Sequence, residues 1–181
     1  MSPSTRLLVN PAPTRSRETG ERTSADLGIY LDHRANESVA YRIGYVHSVT
    51  EPTLPDETRS VEHRISMDFT YRWKIGGTGL LSDRTRVDLR ERESGFSQRV
   101  RNRVQYEHEI RLGELDVVPY ANAEIFYDTR FSAFARYRFE VGPDFVFSPQ
   151  VDVTFYVGRQ IDTKPERQTV NGFGVILGLH V

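Results

Sequence analysis

The chain contains no cysteine. Disulfides and thiolate metal sites are therefore excluded, and a thiol-free chain can cross an oxidising compartment unfolded without mispairing. Long apolar runs are missing too, and none approaches the ~18 residues that a membrane helix requires. Neither sign of charge is in excess: 24 Lys and Arg face 25 Asp and Glu, for a net charge of −1. A nucleic-acid-binding domain normally carries a basic surplus, so no nucleic-acid partner is expected. Hydrophobic residues make up only 38% of the 181, against roughly 45–50% in ordinary globular domains, a range that also counts Gly. The length is that of one domain, with few residues to fill a conventional core. Low hydropathy does not exclude a membrane, because a barrel strand is apolar only at every second position.

What the chain does have is alternation. Residues 84–92 and 98–110 read as the two strands of a hairpin, joined by a turn at Ser94-Gly95. Successive side chains on a strand face opposite ways. One face collects Arg84, Arg86, Asp88, Arg90 and Arg92, then Arg99, Arg101, Arg103, Gln105, Glu107 and Glu109. The other collects Thr85, Val87, Leu89, Val100, Asn102, Val104, Tyr106, His108 and Ile110. Residues 61–73 alternate most cleanly, with Val61, His63, Ile65, Met67, Phe69, Tyr71 and Trp73 opposite Glu62, Arg64, Ser66, Asp68, Thr70 and Arg72. A helix would scatter both sets. The run also exceeds the ~5–6 residues of a usual strand and covers the ~9–11 of a tilted membrane strand.

The same scheme recurs along the chain. Residues 1–24 read as an N-terminal arm, with a remnant first strand at 5–9 and an extended Pro- and Arg-rich loop from 10 to 24. Residues 25–181 read as the barrel domain. Its strands begin near Ala25, Val39, Val61, Arg84, Gln98, Val117, Ala133, Val151 and Phe173. Long loops are expected at 48–60 and 158–168, a connection at 111–116 and a turn at Gly142-Pro143-Asp144. Nine strands are clear. Single-chain bacterial barrels close with an even number, so the remnant is counted as the tenth.

Alternation alone does not say which face is buried. A soluble barrel holding an apolar ligand, as lipocalins do, would turn Ile65 and Phe69 inward. Its outer surface would then carry dense arginine ladders with like charges opposed. The preferred expectation is an all-β, antiparallel up-and-down transmembrane barrel of about ten strands, with the apolar face on lipid. Lumen-lining residues would be Arg84, Arg86, Arg90, Arg99, Arg101, Arg103, Glu107, Glu124, Arg136, Arg138 and Glu140, their mixed charges interlocking as a plug or a narrow pore. Tyr71, Trp73 and Tyr127 would form the aromatic girdle at headgroup level.

No catalytic residue is expected. His33, His47 and His180 sit near strand ends, while His63 and His108 fall on the apolar face. On a strand, His108 points away from both Glu107 and Glu109. No Gly-x-Ser-x-Gly elbow, His-Glu-x-x-His run or Cys/His cluster occurs, and Gly76-Gly77-Thr78-Gly79 lacks the lysine of a phosphate loop. A membrane-embedded lipid-modifying enzyme is the third reading, but it needs a nucleophile or acid paired with histidine at one rim. No cofactor or metal is expected.

The arginine-rich pair, Arg84-Thr85-Arg86-Val87-Asp88-Leu89-Arg90-Glu91-Arg92 and Arg99-Val100-Arg101-Asn102-Arg103-Val104-Gln105-Tyr106, is followed by Pro119-Tyr120-Ala121-Asn122-Ala123-Glu124-Ile125-Phe126-Tyr127. Together with Arg136-Tyr137-Arg138 and Gly142, this resembles the DUF2490 family of bacterial outer-membrane proteins. The resemblance covers about the C-terminal hundred residues and implies a Gram-negative, porin-like outer-membrane barrel of unknown activity. Its partners would be the outer-membrane bilayer and the outer-membrane assembly machinery, and it is expected to be a monomer. The chain departs from exported barrels in lacking a signal-peptide core and in ending on Val181 rather than an aromatic.

Overall fold

The computed structural model describes residues 4–15, 22–52, 58–148 and 150–179. Among them there is no helix, and eleven strands follow one another: β1 (Ser4–Arg15), β2 (Arg22–Arg34), β3 (Val39–Thr50), β4 (Ser60–Ile75), β5 (Gly79–Arg92), β6 (Gly95–His108), β7 (Ile110–Leu112), β8 (Leu115–Asp128), β9 (Ala133–Ser148), β10 (Val151–Asp162) and β11 (Gln168–Leu179). The sheet order is the chain order, except that β7 pairs with β8 beside the main path. Since β7 continues β6 beyond Glu109, the meander has the expected ten members. The chain divides into two compact units, Met1–Phe69 with Arg86–Val100, and Thr70–Thr85 with Arg101–Val181.

Local chemistry explains the turns. Gly113 holds φ +65° in the connection between β7 and β8, and Gly76 holds φ +64° between β4 and β5. Both angles lie in the left-handed region that glycine enters without Cβ strain. In the first unit, Tyr30 of β2 lies over Gly28 and Gly44, and in the second Tyr156 of β10 covers Gly174. A side chain at those glycines would collide with the rings, so glycine and tyrosine fill one space between them.

Several boundaries differ from those the sequence suggested. Residues 10–15 and 22–24 are strand rather than loop, and residues 16–21 lie outside the described residues. β1 pairs with β2 from Ser4↔Arg34 to Arg15↔Arg22. Pro11 and Pro13 lie within β1, opposite Leu27 and Ala25 of β2. Gly142-Pro143-Asp144 is not a turn but the middle of β9, where Pro143 faces Pro119 and Gly142 faces Tyr120 of β8. A Cβ on Gly142 would strike the Phe155 carbonyl of β10, so this glycine serves a close approach of two backbones. Of the loop expected at 48–60, residues 48–50 belong to β3 and Ser60 to β4, with 53–57 outside the described residues; the loop expected at 158–168 shrinks to 163–167, and the connection at 111–116 becomes the β7–β8 turn.

Candidate functional site

Burial fixes the orientation of both units. On β4 of the first unit, Ile65, Met67 and Phe69 are 46%, 40% and 43% exposed, while Glu62, Ser66 and Asp68 are 5%, 0% and 7% exposed. On β5 of that unit Arg86, Asp88 and Arg90 are buried. The second unit repeats this on β8, where Asn122, Glu124, Phe126 and Asp128 are buried and Ile125 is exposed. Val104 and Phe155 are exposed as well. The polar face is therefore the packed one and the apolar face is the outer surface, the reverse of a water-soluble sheet.

The polar face of the first unit is centred on carboxylates. Glu62 accepts from Arg64 Nε at 2.8 Å, from Arg90 Nη2 at 2.6 Å and from Arg92. Asp68 takes a two-pronged bond from Arg86, with Nη2 at 2.5 Å from Oδ2. The Ser66 hydroxyl donates to Asp88 at 2.7 Å. Arg42 grips Asp32 through Nε at 2.5 Å and Nη2 at 2.7 Å, and its guanidinium lies 5.2 Å from the Tyr30 ring centre. Buried charges cost several kcal/mol each unless paired and hydrogen-bonded, and the guanidinium fork supplies both. Arg99 is half-buried on the same face.

In the second unit the centre is an aromatic ring. Phe126, 1% exposed, has the guanidiniums of Arg138, Arg101 and Arg136 at 5.4, 5.5 and 5.7 Å from its centre. Arg84 donates to Glu124 at 3.1 Å, and Arg138 reaches Glu124 at 3.9 Å and Gln160 at 2.9 Å. Arg136 binds Asp162. Asn122 bridges to Glu140 at 3.2 Å, and Gln105 donates to Glu107. Arg103 is half-buried alongside. Glu109 leaves this face: it stands exposed in the break between β6 and β7, its N–H donating to the Thr78 carbonyl at 3.0 Å. The role of Phe126 was not read from the sequence, although an aromatic sharing a strand face with Asn122 and Glu124 was the available signal.

On the outer surface of the second unit, Tyr71 and Trp73 meet at a tilt of 59° with ring centres 4.6 Å apart, and Tyr127 meets Phe134 edge-on at 5.7 Å. One polar set interrupts this surface. Asn102 donates to Asp83 at 2.9 Å and to Thr85 at 3.2 Å, so the three satisfy one another. His47, His63 and His108 lie on the apolar faces of their strands with tyrosine or histidine neighbours. His63 bonds Tyr45 at 2.5 Å and lies against His47 in the first unit, and His108 stacks with Tyr106 in the second. No group of three or more metal-ligating side chains occurs among the described residues.

These features can be set beside known proteins. The structure resembles the beta domain of the Bordetella autotransporter BrkA, with a TM-score of 0.56 and 12% identity, over 86% of this chain and 71% of that one. At that identity the likeness concerns fold alone, an antiparallel β-barrel. No protein with a curated description matches. The family model described as "Protein of unknown function (DUF2490)" matches residues 4–171, so the chain belongs to the DUF2490 family.

Proposed function

We propose that the protein is an outer-membrane β-barrel with a structural or narrow-pore role, its interior filled by interlocked charges and its outer surface in contact with lipid. The observation that carries this reading is the inverted burial along β4 and β8, with ionised side chains packed and large apolar ones outside. Apolar residues at alternate positions facing outward are what a bilayer demands, and strands of 12–16 residues such as β3 and β4 suffice to cross one. The soluble apolar-ligand reading would need Ile65, Val104 and Phe155 in a core, and their exposure speaks against it. On this reading the protein is non-enzymatic and monomeric, sits in the outer membrane of a Gram-negative bacterium, and reaches it through the outer-membrane assembly machinery. The test is electrophoretic. Folded protein in detergent should migrate anomalously unboiled and shift on heating. A folded protein that stays soluble without detergent and shows no shift would overturn the proposal.

A further inference from the structure

The outer face of the second unit carries one charge that contact with lipid does not use. Asp83 and Thr85 occupy outward positions on β5, and Asn102 does so on β6. Register places Asp83 among its neighbours. Ile75 and Gly79 flank the turn between β4 and β5, and counting back from it pairs Trp73 with Leu81 and Tyr71 with Asp83. Further along β4 and β5, the Ser66–Asp88 hydrogen bond of 2.7 Å keeps that register. On the other side Thr85 faces Asn102, in line with their 3.2 Å hydrogen bond, and the same register sets Val104 opposite Asp83. Tyr71, Leu81, Thr85, Asn102 and Val104 therefore border the carboxylate, and none of them is a cation.

The Asn102 amide donates to Oδ1 of Asp83 at 2.9 Å, which orients the carboxylate but leaves its charge. No lysine, arginine or histidine pairs with Asp83 among the described residues. Inward carboxylates differ, since Glu62, Asp68 and Glu124 each meet a guanidinium. An ionisable side chain turned toward lipid is costly, and where one occurs it points to a function and a partner. A second observation is independent of charge. Tyr71, directly across from Asp83, meets Trp73 with ring centres 4.6 Å apart and planes at 59°. Aromatic side chains at a membrane interface lie at headgroup level, and their ring faces attract cations.

A carboxylate accepts hydrogen bonds and donates none, so its partner must be a donor, and the uncompensated charge calls for a cation. A divalent metal would need several oxygen ligands, and no group of three or more metal-ligating side chains occurs among the described residues. We propose that Asp83, Tyr71 and Trp73 form a binding site for the primary-ammonium headgroup of a membrane lipid, as in phosphatidylethanolamine, with Asn102 positioning the carboxylate. The ammonium donates to Oδ2 of Asp83, and its charge lies against the rings of the neighbouring strand.

Trp73 is the single tryptophan of the chain, so its fluorescence reports on this site. The full chain is folded into vesicles of phosphatidylethanolamine, phosphatidylcholine and phosphatidylglycerol in equal parts, with one lipid at a time brominated on its acyl chains close to the headgroup. Quenching of Trp73 by each brominated lipid gives its enrichment at the site. Phosphatidylethanolamine should be enriched roughly threefold over phosphatidylcholine, whose ammonium has no N–H to donate. Asp83→Asn keeps an oxygen for the Asn102 amide and removes the charge, and it should bring that ratio to about one. Glu91→Gln, at the far end of the same strand face, should keep the parent ratio. Tyr71→Leu should lower the enrichment of both ammonium lipids over phosphatidylglycerol by about twofold. Equal quenching by the two ammonium lipids in the parent, or a preference that survives Asp83→Asn, overturns the proposal. Quenching by none of the three also overturns it, because another protein surface, such as a second copy, would then cover Asp83. The inference rests on the barrel reading, and the two fail separately: a heat-modifiable protein without the lipid preference refutes the site alone, whereas absent heat modifiability refutes the barrel.

Discussion

Each unit gathers three guanidiniums around one group, but the groups differ in kind. In the first it is the Glu62 carboxylate, and in the second the face of Phe126. A carboxylate neutralises charge and accepts directed hydrogen bonds, so it fixes where each guanidinium sits. A ring attracts cations through its quadrupole for only ~0.5–2 kcal/mol each and accepts no such bond. The arginines around Phe126 therefore need acids elsewhere, and Arg138 and Arg136 have them in Glu124 and Asp162. Arg136 and Arg138 of the second unit thus use different acids, whereas Arg64, Arg90 and Arg92 of the first converge on one residue. The first unit should accordingly depend more on a single side chain.

The largest effect should come from breaking that convergence. Glu62→Gln leaves three buried or half-buried guanidiniums without their shared carboxylate, and removing one partner of a buried pair costs about 3–5 kcal/mol. Urea unfolding in detergent, followed by the heat-induced gel shift, should show a lower midpoint. An unchanged midpoint would mean that other groups hold these arginines. Next in size is a test of the opposite face of the same strand. Phe69→Arg places a cation on the outward side, which costs ~2–4 kcal/mol at a bilayer midplane. Insertion into liposomes should fall sharply, and normal insertion would contradict the lipid-facing assignment.

The second unit should lose less. Phe126→Leu retains an apolar side chain but removes the ring face from three guanidiniums, for an expected loss of about 1–2 kcal/mol. The same unfolding assay should rank this variant well above Glu62→Gln. A reversed ranking would make the ring the stronger organiser and undo the comparison.

The sequence made β4 and the arginine-rich hairpin legible for a physical reason. Period-two alternation over a dozen residues has no competing helical reading, and a short turn fixes the register by counting. That alternation put Arg86 and Arg90 on the packed face, as the same alternation along β8 did for Glu124. Gly142-Pro143-Asp144 was misread because its local chemistry favours a turn, while its actual role, admitting the Phe155 backbone, depends on a neighbouring strand. β1 was cut short for a similar reason, since Pro11 breaks a strand only where its missing N–H would be needed. Phe126 and Asp83 belong to a third kind. Their faces follow from parity, but a ring among guanidiniums and an outward carboxylate without a cation are properties of the assembled sheet.

The smallest effect concerns an ion pair whose geometry matches the others but whose setting does not. Arg42 and Asp32 form a two-pronged contact much like Arg86 and Asp68, yet their side chains are 29% and 32% exposed, against 11% and 4% for the inner pair. Solvent screens the outer pair, and exposed pairs are worth only ~0.2–1 kcal/mol. Asp32→Asn should therefore lower the urea midpoint slightly, by less than any change above, and its effect should shrink as salt is raised. Asp68→Asn should cost several times more and respond weakly to salt, because its partner is buried. Equal losses at Asp32 and Asp68, with equal salt dependence, would mean that depth within the polar face does not set the strength of these pairs. The contrast between a carboxylate-centred and a ring-centred unit would then lose its electrostatic basis.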